Sequence, residues 1–414
     1  MKKSEIPLRN QAEVGEENQA LHNSEIIIPQ DFDLNWVSKN TQFILSPGQL
    51  AQIKEAAETV FKLTNETWLE MVKQKNFPSW MNLHYGAVKS LWENSQTGLS
   101  LMRIDFAWDQ VGNLKLLELN ASSQTGWIIC HLVEKAIQVE KIGQPLAPQP
   151  FFYSKYIWEN LGPKVAIIFP PEYSKDLSSQ ELRLIVQQIE SLGGQARTFC
   201  LSETTLAEII NFAPTGLFWK CDSLIDYAEI VLKLAELNLP QLPSFESLFI
   251  AGDKLFLATL KEQDKTGLIP STYVLSKDNL EQNISFLVKD KAVLKRGDSG
   301  NGEGIEFGKN FSENAWRERI KEVMKSGQPW IIQELCSLRN TSGRYEDISV
   351  FVSEGVVQGI VSRISANEIV NVSNGGLFQP VVLGENSEQL TTQVFSESSN
   401  HEEHFQTRIE QPPK

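Results

Sequence analysis

Two short runs of the chain place ionisable side chains where chemistry could use them. "LMRIDFAW", residues 101–108, sets Arg103 and Asp105 two apart, and "LLELNASS", residues 116–123, sets Glu118 and Asn120 two apart. Side chains alternate along a strand, so each pair shares one face. Between the runs lies "DQVGN", whose glycine and asparagine predict a β-hairpin. With Asp109 opposite Leu114 and a four-residue loop, Asp105 falls opposite Glu118 and Arg103 opposite Asn120. Directly opposed like charges destabilise a sheet pair, so a positive charge is expected between the carboxylates. Arg103 alone is a poor partner for both. A hard divalent cation such as Mg²⁺, which takes one or two carboxylates with water and substrate phosphates, suits the pair. A water-facing polar hairpin is the alternative reading.

A second group of residues suits phosphate. Lys254 stands in "AGDKLFLATLKEQ", a predicted helix, and Lys295 ends the apolar strand of "AVLKRGDSGNGEGIEFGKN". The loop after Lys295 carries Gly297, Gly300, Gly302 and Gly304. A lysine at a strand end and a glycine loop can bring a cation and free backbone N–H groups to phosphate oxygens. This loop is not a Walker A motif, because no G-x-x-x-x-G-K-[ST] occurs in the chain. "PWIIQELCSL" then gives a strand ending in Gln333, Glu334 and Leu335, either a ledge for an adenine edge and ribose or a plain capped strand end. Arg363 lies late in the second strand of "YEDISVFVSEGVVQGIVSRIS".

The elements that must position these groups follow from patterning. Ser46 and Pro47 open a helical region, and the hairpin follows it. "KVAIIFP", "SSQELRLIVQQIESLGG" and "QARTFC" predict strand, helix and strand, a βαβ unit with a parallel sheet. No glycine fingerprint of a Rossmann site follows its first strand. The expected organisation is a polar, disordered tail over 1–25, a helical region with the hairpin over 26–150, the βαβ domain over 151–245, a nucleotide and lid region over 246–384, and a polar tail over 385–414. At 414 residues there is ample chain for several domains. A net charge of −14 argues against nucleic acid or an anionic membrane as partner. Four scattered cysteines without metal or disulfide spacing, and no apolar run of bilayer length, point to the cytoplasm.

Taken in order, "RIDF", "LLELNASS", "LKRGDSGNGEGIEF", "IIQEL" and "GIVSRIS" resemble the motif set of the ATP-grasp superfamily. The R-x-D…E-x-N pair precedes the other motifs, as in the circularly permuted branch typified by glutathionylspermidine synthetase. The resemblance covers roughly residues 100–383. It implies an α/β, permuted ATP-grasp fold with a βαβ preATP-grasp-like domain and a glycine-rich lid. It further implies Asp105, Glu118 and Asn120 as Mg²⁺ ligands, and Lys254 and Lys295 on ATP phosphates. Gly300, Gly302 and Gly304 would form the lid, and Gln333, Glu334 and Leu335 would lie along the adenosine. Arg103 would stabilise the transferring phosphoryl group and an acyl oxyanion, with Arg363 as a second catalytic arginine. The implied activity is ATP-dependent ligation of a small carboxylate, such as an amino acid or short peptide, to an amine or polyamine. A small-molecule kinase on the same fold and a non-catalytic nucleotide-binding protein are the alternatives. The chain departs from the branch at Ser122–Gln124, where the branch carries an acid and a proline, so spermidine and glutathione do not carry over. The amidase domain of bifunctional members is absent.

Overall fold

The computed structural model describes residues 34–95, 97–122, 125–137, 143–174, 177–202, 204–221, 225–276, 288–297, 299, 302–384 and 393–394. Both expected tails (but for 393–394) and Gly300 lie outside the described residues. In chain order, β1 (Thr41–Leu45) leads to helices α1 (Pro47–Gln74) and α2 (Ser79–Tyr85). The hairpin β2 (Leu101–Trp108) and β3 (Leu114–Asn120), α3 (Ile129–Ala136) and β4 (Gln144–Pro145) follow. Next come β5 (Lys164–Phe169), α4 (Leu177–Ser191), β6 (Gln195–Cys200), β7 (Gly216–Trp219) and β8 (Gln241–Leu242). The last third holds α5 (Lys254–Gln263), β9 (Thr272–Val274), β10 (Ala292–Arg296), β11 (Ile305–Phe307), α6 (Glu313–Lys325) and β12 (Trp330–Glu334). It closes with β13 (Asn340–Thr341), β14 (Arg344–Ser353), β15 (Val356–Ser365), β16 (Leu377–Leu383) and β17 (Gln393–Val394).

These strands form three sheets. The largest runs β17-β1-β16-β15-β14-β2-β3, with β13 on β14 and β4 on β16. It therefore joins the early hairpin to the late pair β14–β15, which brings residues some 240 positions apart in sequence side by side. A small antiparallel sheet has the order β11-β10-β12-β9. The third, β6-β5-β7-β8, is wholly parallel, with α4 as the crossover from β5 to β6.

Local sequence explains the main supports. Ser46 caps α1 through a reciprocal pair with Gln49, and Pro47 occupies the first helical position, where its missing N–H costs nothing. Ile53, Ala57, Val60, Phe61, Thr64, Trp68, Met71 and Val72 recur every three or four residues and are buried against the large sheet's core. In β5, Val165, Ala166, Ile167 and Ile168 are wholly buried, as a central parallel strand covered on both faces requires. Each buried isoleucine contributes about 1.5–3 kcal/mol. The small sheet packs its own cluster of Leu294, Ile332 and Trp330 onto Trp316 and Ile320 of α6. Among the described residues no helix is long and apolar enough to cross a membrane.

Candidate functional site

The hairpin brings Asp105 opposite Glu118 and Arg103 opposite Asn120. It does so by another route than an even loop. Trp108, not Asp109, pairs with Leu114, leaving residues 109–113 as the loop. The register then shifts by one between Asp105 and Phe106, so that Leu117 is an extra residue on β3. An odd loop and a one-residue bulge together give the parity of an even loop. Asp109 shapes the turn by accepting the N–H groups of Val111 at 3.0 Å and Asn113 at 2.8 Å, with Gly112 at φ +90°. The bulge also carries function-bearing geometry, because the Leu117 carbonyl accepts the Lys295 ammonium at 3.2 Å.

The opposed carboxylates are compensated by separate cations. Arg103 donates Nε to Asp105 Oδ1 and Nη2 to Oδ2, both at 3.0 Å, and Arg363 Nη2 reaches the same Oδ2 at 3.1 Å. Asn120 adds its side-chain N–H at 3.2 Å. Arg363 in turn holds Asp347, its cross-strand partner, with Nε to Oδ1 at 2.9 Å and Nη2 to Oδ2 at 2.5 Å. Glu118 pairs with Lys254 at 2.8 Å. Burial alone would raise both carboxyls. Arg103 and Arg363 outweigh it at Asp105, and Lys254 outweighs it at Glu118, so both stay below their ordinary values. At Asp347 burial wins over Arg363, and the carboxyl is pushed up to about 6.

This arrangement discriminates among the three expected Mg²⁺ ligands. Asp105 is 1% exposed and accepts bonds from two arginines and Asn120, so a cation reaches it only by displacing an arginine. It does not fit. Glu118 retains 29% side-chain exposure and its Oε2 beyond the ion pair with Lys254, and with Asn120 it offers the hard oxygen donors Mg²⁺ takes. Among the described residues no group of three or more acidic, histidine or cysteine side chains is arranged to hold a metal.

A cleft separates the large sheet from the small one. Asp105, Glu118, Asp347 and Arg363 line one wall, and Lys295, Gly302 and Gln333 line the other. Lys254 lies between them at the first turn of α5, where the Asp253 cap accepts the Leu255 N–H at 2.7 Å and the Tyr85 hydroxyl at 2.5 Å. The Lys254 ammonium also donates to the Ser299 carbonyl, and its backbone N–H to Gly297. Lys254 and Lys295, forty-one residues apart in sequence, thus share one cleft. Burial lowers the Lys295 ammonium below the ordinary lysine value.

The remaining expected residues divide. Gln333 is buried and donates to Thr272 Oγ1 at 2.8 Å, while Glu334 is exposed and accepts the Ser271 N–H at 3.3 Å. Both line the cleft with Leu335. Gly302, at φ +74°, sits so close to Ile369 and Asn374 that a Cβ would come within 2.9 and 2.7 Å of them. Gly304, at φ +65°, packs against Arg296. Arg103 and Asn120 both donate to Asp105, which lines the cleft.

Sequence reasoning missed Asp347, Cys336 and the segment Glu368–Asn371, all of which line the cleft. For Asp347 a signal existed, since it alternates with Ser349 on the face that carries Arg363. For residues 368–371 there was none, because a loop's approach to another sheet leaves no period in sequence.

No protein-family model matches the chain, and no curated protein does either. Among solved structures, the chain is similar to a glutathione synthetase-like effector from Globodera pallida in its apo form. The two share 10% identity and a TM-score of 0.51 over 91% of this chain and 98% of that one. A putative gamma-glutamylcysteine synthetase from Methylobacillus flagellatus gives 12% identity and a TM-score of 0.41 over 78% and 87%. D-alanine–D-alanine ligase from Bacillus anthracis gives 14% and 0.31 over 48% and 64%; both of these overlaps are too loose to weigh. The fold is of the ATP-grasp type, as the motif set implies.

Proposed function

We propose that this chain is an ATP-dependent carboxylate–amine ligase of the circularly permuted, glutathionylspermidine synthetase-like kind. The observation that carries the reading is the meeting of Lys254 and Lys295 in one cleft. Arg363 is held by Asp105 and Asp347, and Lys254 by Glu118, whereas Lys295 forms no ion pair among the described residues. Among the described residues its half-buried ammonium donates to one carbonyl, Leu117 O, and phosphate oxygens would meet its remaining N–H groups.

On this reading Lys295 binds the phosphates of ATP, and Lys254 moves from Glu118 onto them. The freed Glu118, with Asn120, would hold Mg²⁺, which would supply charge neutralisation to the transferring phosphate. Gln333, Glu334 and Leu335 flank the adenosine. A substrate carboxylate oxygen attacks the γ-phosphorus, the bond to the β–γ bridging oxygen breaks, and ADP leaves. An amine nitrogen then attacks the acyl carbon, the C–O bond to phosphate breaks, and the amine gives up a proton. Arg103 and Arg363 stabilise charge in both steps, a role in which loss of one donor costs about 10²–10³ in rate. The glycine loop and the Glu368–Asn371 segment exclude water, which would otherwise hydrolyse the acyl phosphate.

A coupled ADP-release screen over amino acids, short peptides and polyamines tests the proposal. ADP release that requires an acid and an amine together is expected. Release with a single acceptor identifies a kinase instead, and ATP binding without turnover on any pair overturns the enzymatic reading.

A further inference from the structure

One fully buried ion pair lies outside the cleft. Lys220 Nζ and Glu181 Oε2 are 2.7 Å apart, and both side chains are 0% exposed. Lys220 directly follows β7, at the carboxyl end of the parallel sheet, and Glu181 belongs to α4. Two charges removed from water are tolerated only when their remaining hydrogen-bonding capacity is met. Here that capacity leads out of the parallel-sheet region. Glu181 Oε1 accepts the Gly126 N–H at 3.0 Å, and Lys220 Nζ donates to Thr125 Oγ1 at 3.1 Å. The Thr125 carbonyl accepts Arg103 Nη1 at 2.9 Å.

We propose that the Lys220–Glu181 pair is a positioning device for Arg103. It clamps the Thr125–Gly126 turn, whose carbonyl fixes the one edge of the guanidinium that Asp105 does not hold. Asp105 takes Nε and Nη2, and the turn takes Nη1, so the arginine is anchored from the large sheet and from the parallel-sheet region at once. The turn itself has little freedom. Gly126 adopts φ +122°, and a Cβ there would stand 2.9 Å from the Phe351 ring. Any displacement of β7 against the large sheet is thereby passed to Arg103. The geometry stands alone, whereas its catalytic consequence rests on the ligase reading above.

The test uses the full chain with Lys220→Met and Glu181→Leu combined, which removes both charges so that neither is left buried and unpaired. Arg103 reactivity toward phenylglyoxal, read by peptide mass, is compared with that of the parent, alongside ATP affinity and turnover. Expected are faster Arg103 modification, an ATP Kd within about twofold of the parent, and a kcat lower by about 10²-fold, the cost of a misplaced catalytic group. Adding Arg103→Lys should lower kcat no further, since groups acting through one another are not additive. Unchanged Arg103 reactivity, or rate losses that multiply, overturns the proposal. Should the double variant not fold, Thr125→Val deletes only the hydroxyl and is judged by the same readouts. A parent without ATP turnover refutes the ligase reading, while Arg103 reactivity still decides the positioning claim.

Discussion

At the residue scale, two acids that look equivalent in sequence have different work. Asp105 anchors two arginines, whereas Glu118, the more exposed of the two, pairs with one lysine. Asp105→Asn leaves buried guanidinium groups short of an acceptor and a counter-charge, so it should cost roughly 3–5 kcal/mol of stability. Glu118→Gln removes the counter-charge of buried Lys254 but keeps an amide oxygen to accept from it and relieves the repulsion with Asp105, so stability should fall by about 1–3 kcal/mol. The same Glu118→Gln change should also raise the Mg²⁺ concentration needed for ATP turnover. Asp109→Asn keeps the Oδ1 acceptor of the turn and should stay within about 0.5 kcal/mol of the parent. Urea melts and a Mg²⁺ titration of turnover check all three. Normal turnover of Glu118→Gln at limiting Mg²⁺ would sink the metal assignment.

At the element scale, the bulge at Leu117 matters more than the turn. A one-residue register slip would send Glu118 and Asn120 to the opposite face, and the bulge prevents this while exposing a carbonyl to Lys295. The glycine loop makes a comparable demand. Alanine at Gly302 must adopt φ +74°, at roughly 1–2 kcal/mol, and must also push against Ile369 and Asn374. Gly302→Ala should therefore weaken ATP binding by about tenfold, equivalent to 1.4 kcal/mol. Gly112→Ala is the control, because it meets the same backbone strain at φ +90° in open space, far along the hairpin from the lysines. Calorimetric ATP titrations of both variants decide the point. Equal affinities would mean that the loop does not close over nucleotide.

At the scale of the whole molecule, Lys295 is half-buried because the small sheet docks against the large one. Its strand is β10, and its acceptor is on β3. Burial lowers its pKa, so the ammonium is lost at a lower pH than in an ordinary lysine. Phosphate binds the charged form and raises that pKa again. ATP affinity should then be constant below the lowered value and fall as pH rises through it, by at most about tenfold per unit, with proton uptake on binding. Lys295→Met should bind more weakly and lose this pH dependence. Calorimetry between neutral and alkaline pH, in buffers of different ionisation enthalpy, measures both. A parent Kd that does not change across that range would exclude Lys295 from the phosphate site.

Much of the architecture was legible from sequence because its causes are local. Alternation alone placed Arg103 with Asp105 and Glu118 with Asn120, apolar continuity gave β5, and Ser46–Pro47 marked the start of α1. The motif set led to an ATP-grasp-type fold. Charge pairing was not legible. The sequence left one cation to be found between Asp105 and Glu118, but tertiary structure supplies Arg363 from β15 and Lys254 from α5, more than a hundred residues away. Nor does any local pattern encode a bulge whose parity cancels that of its loop, or a loop at 368–371 that meets Gly302 across a cleft. Such contacts depend on how sheets dock, and docking is decided by the shape of the packed cores, not by the period of any one segment.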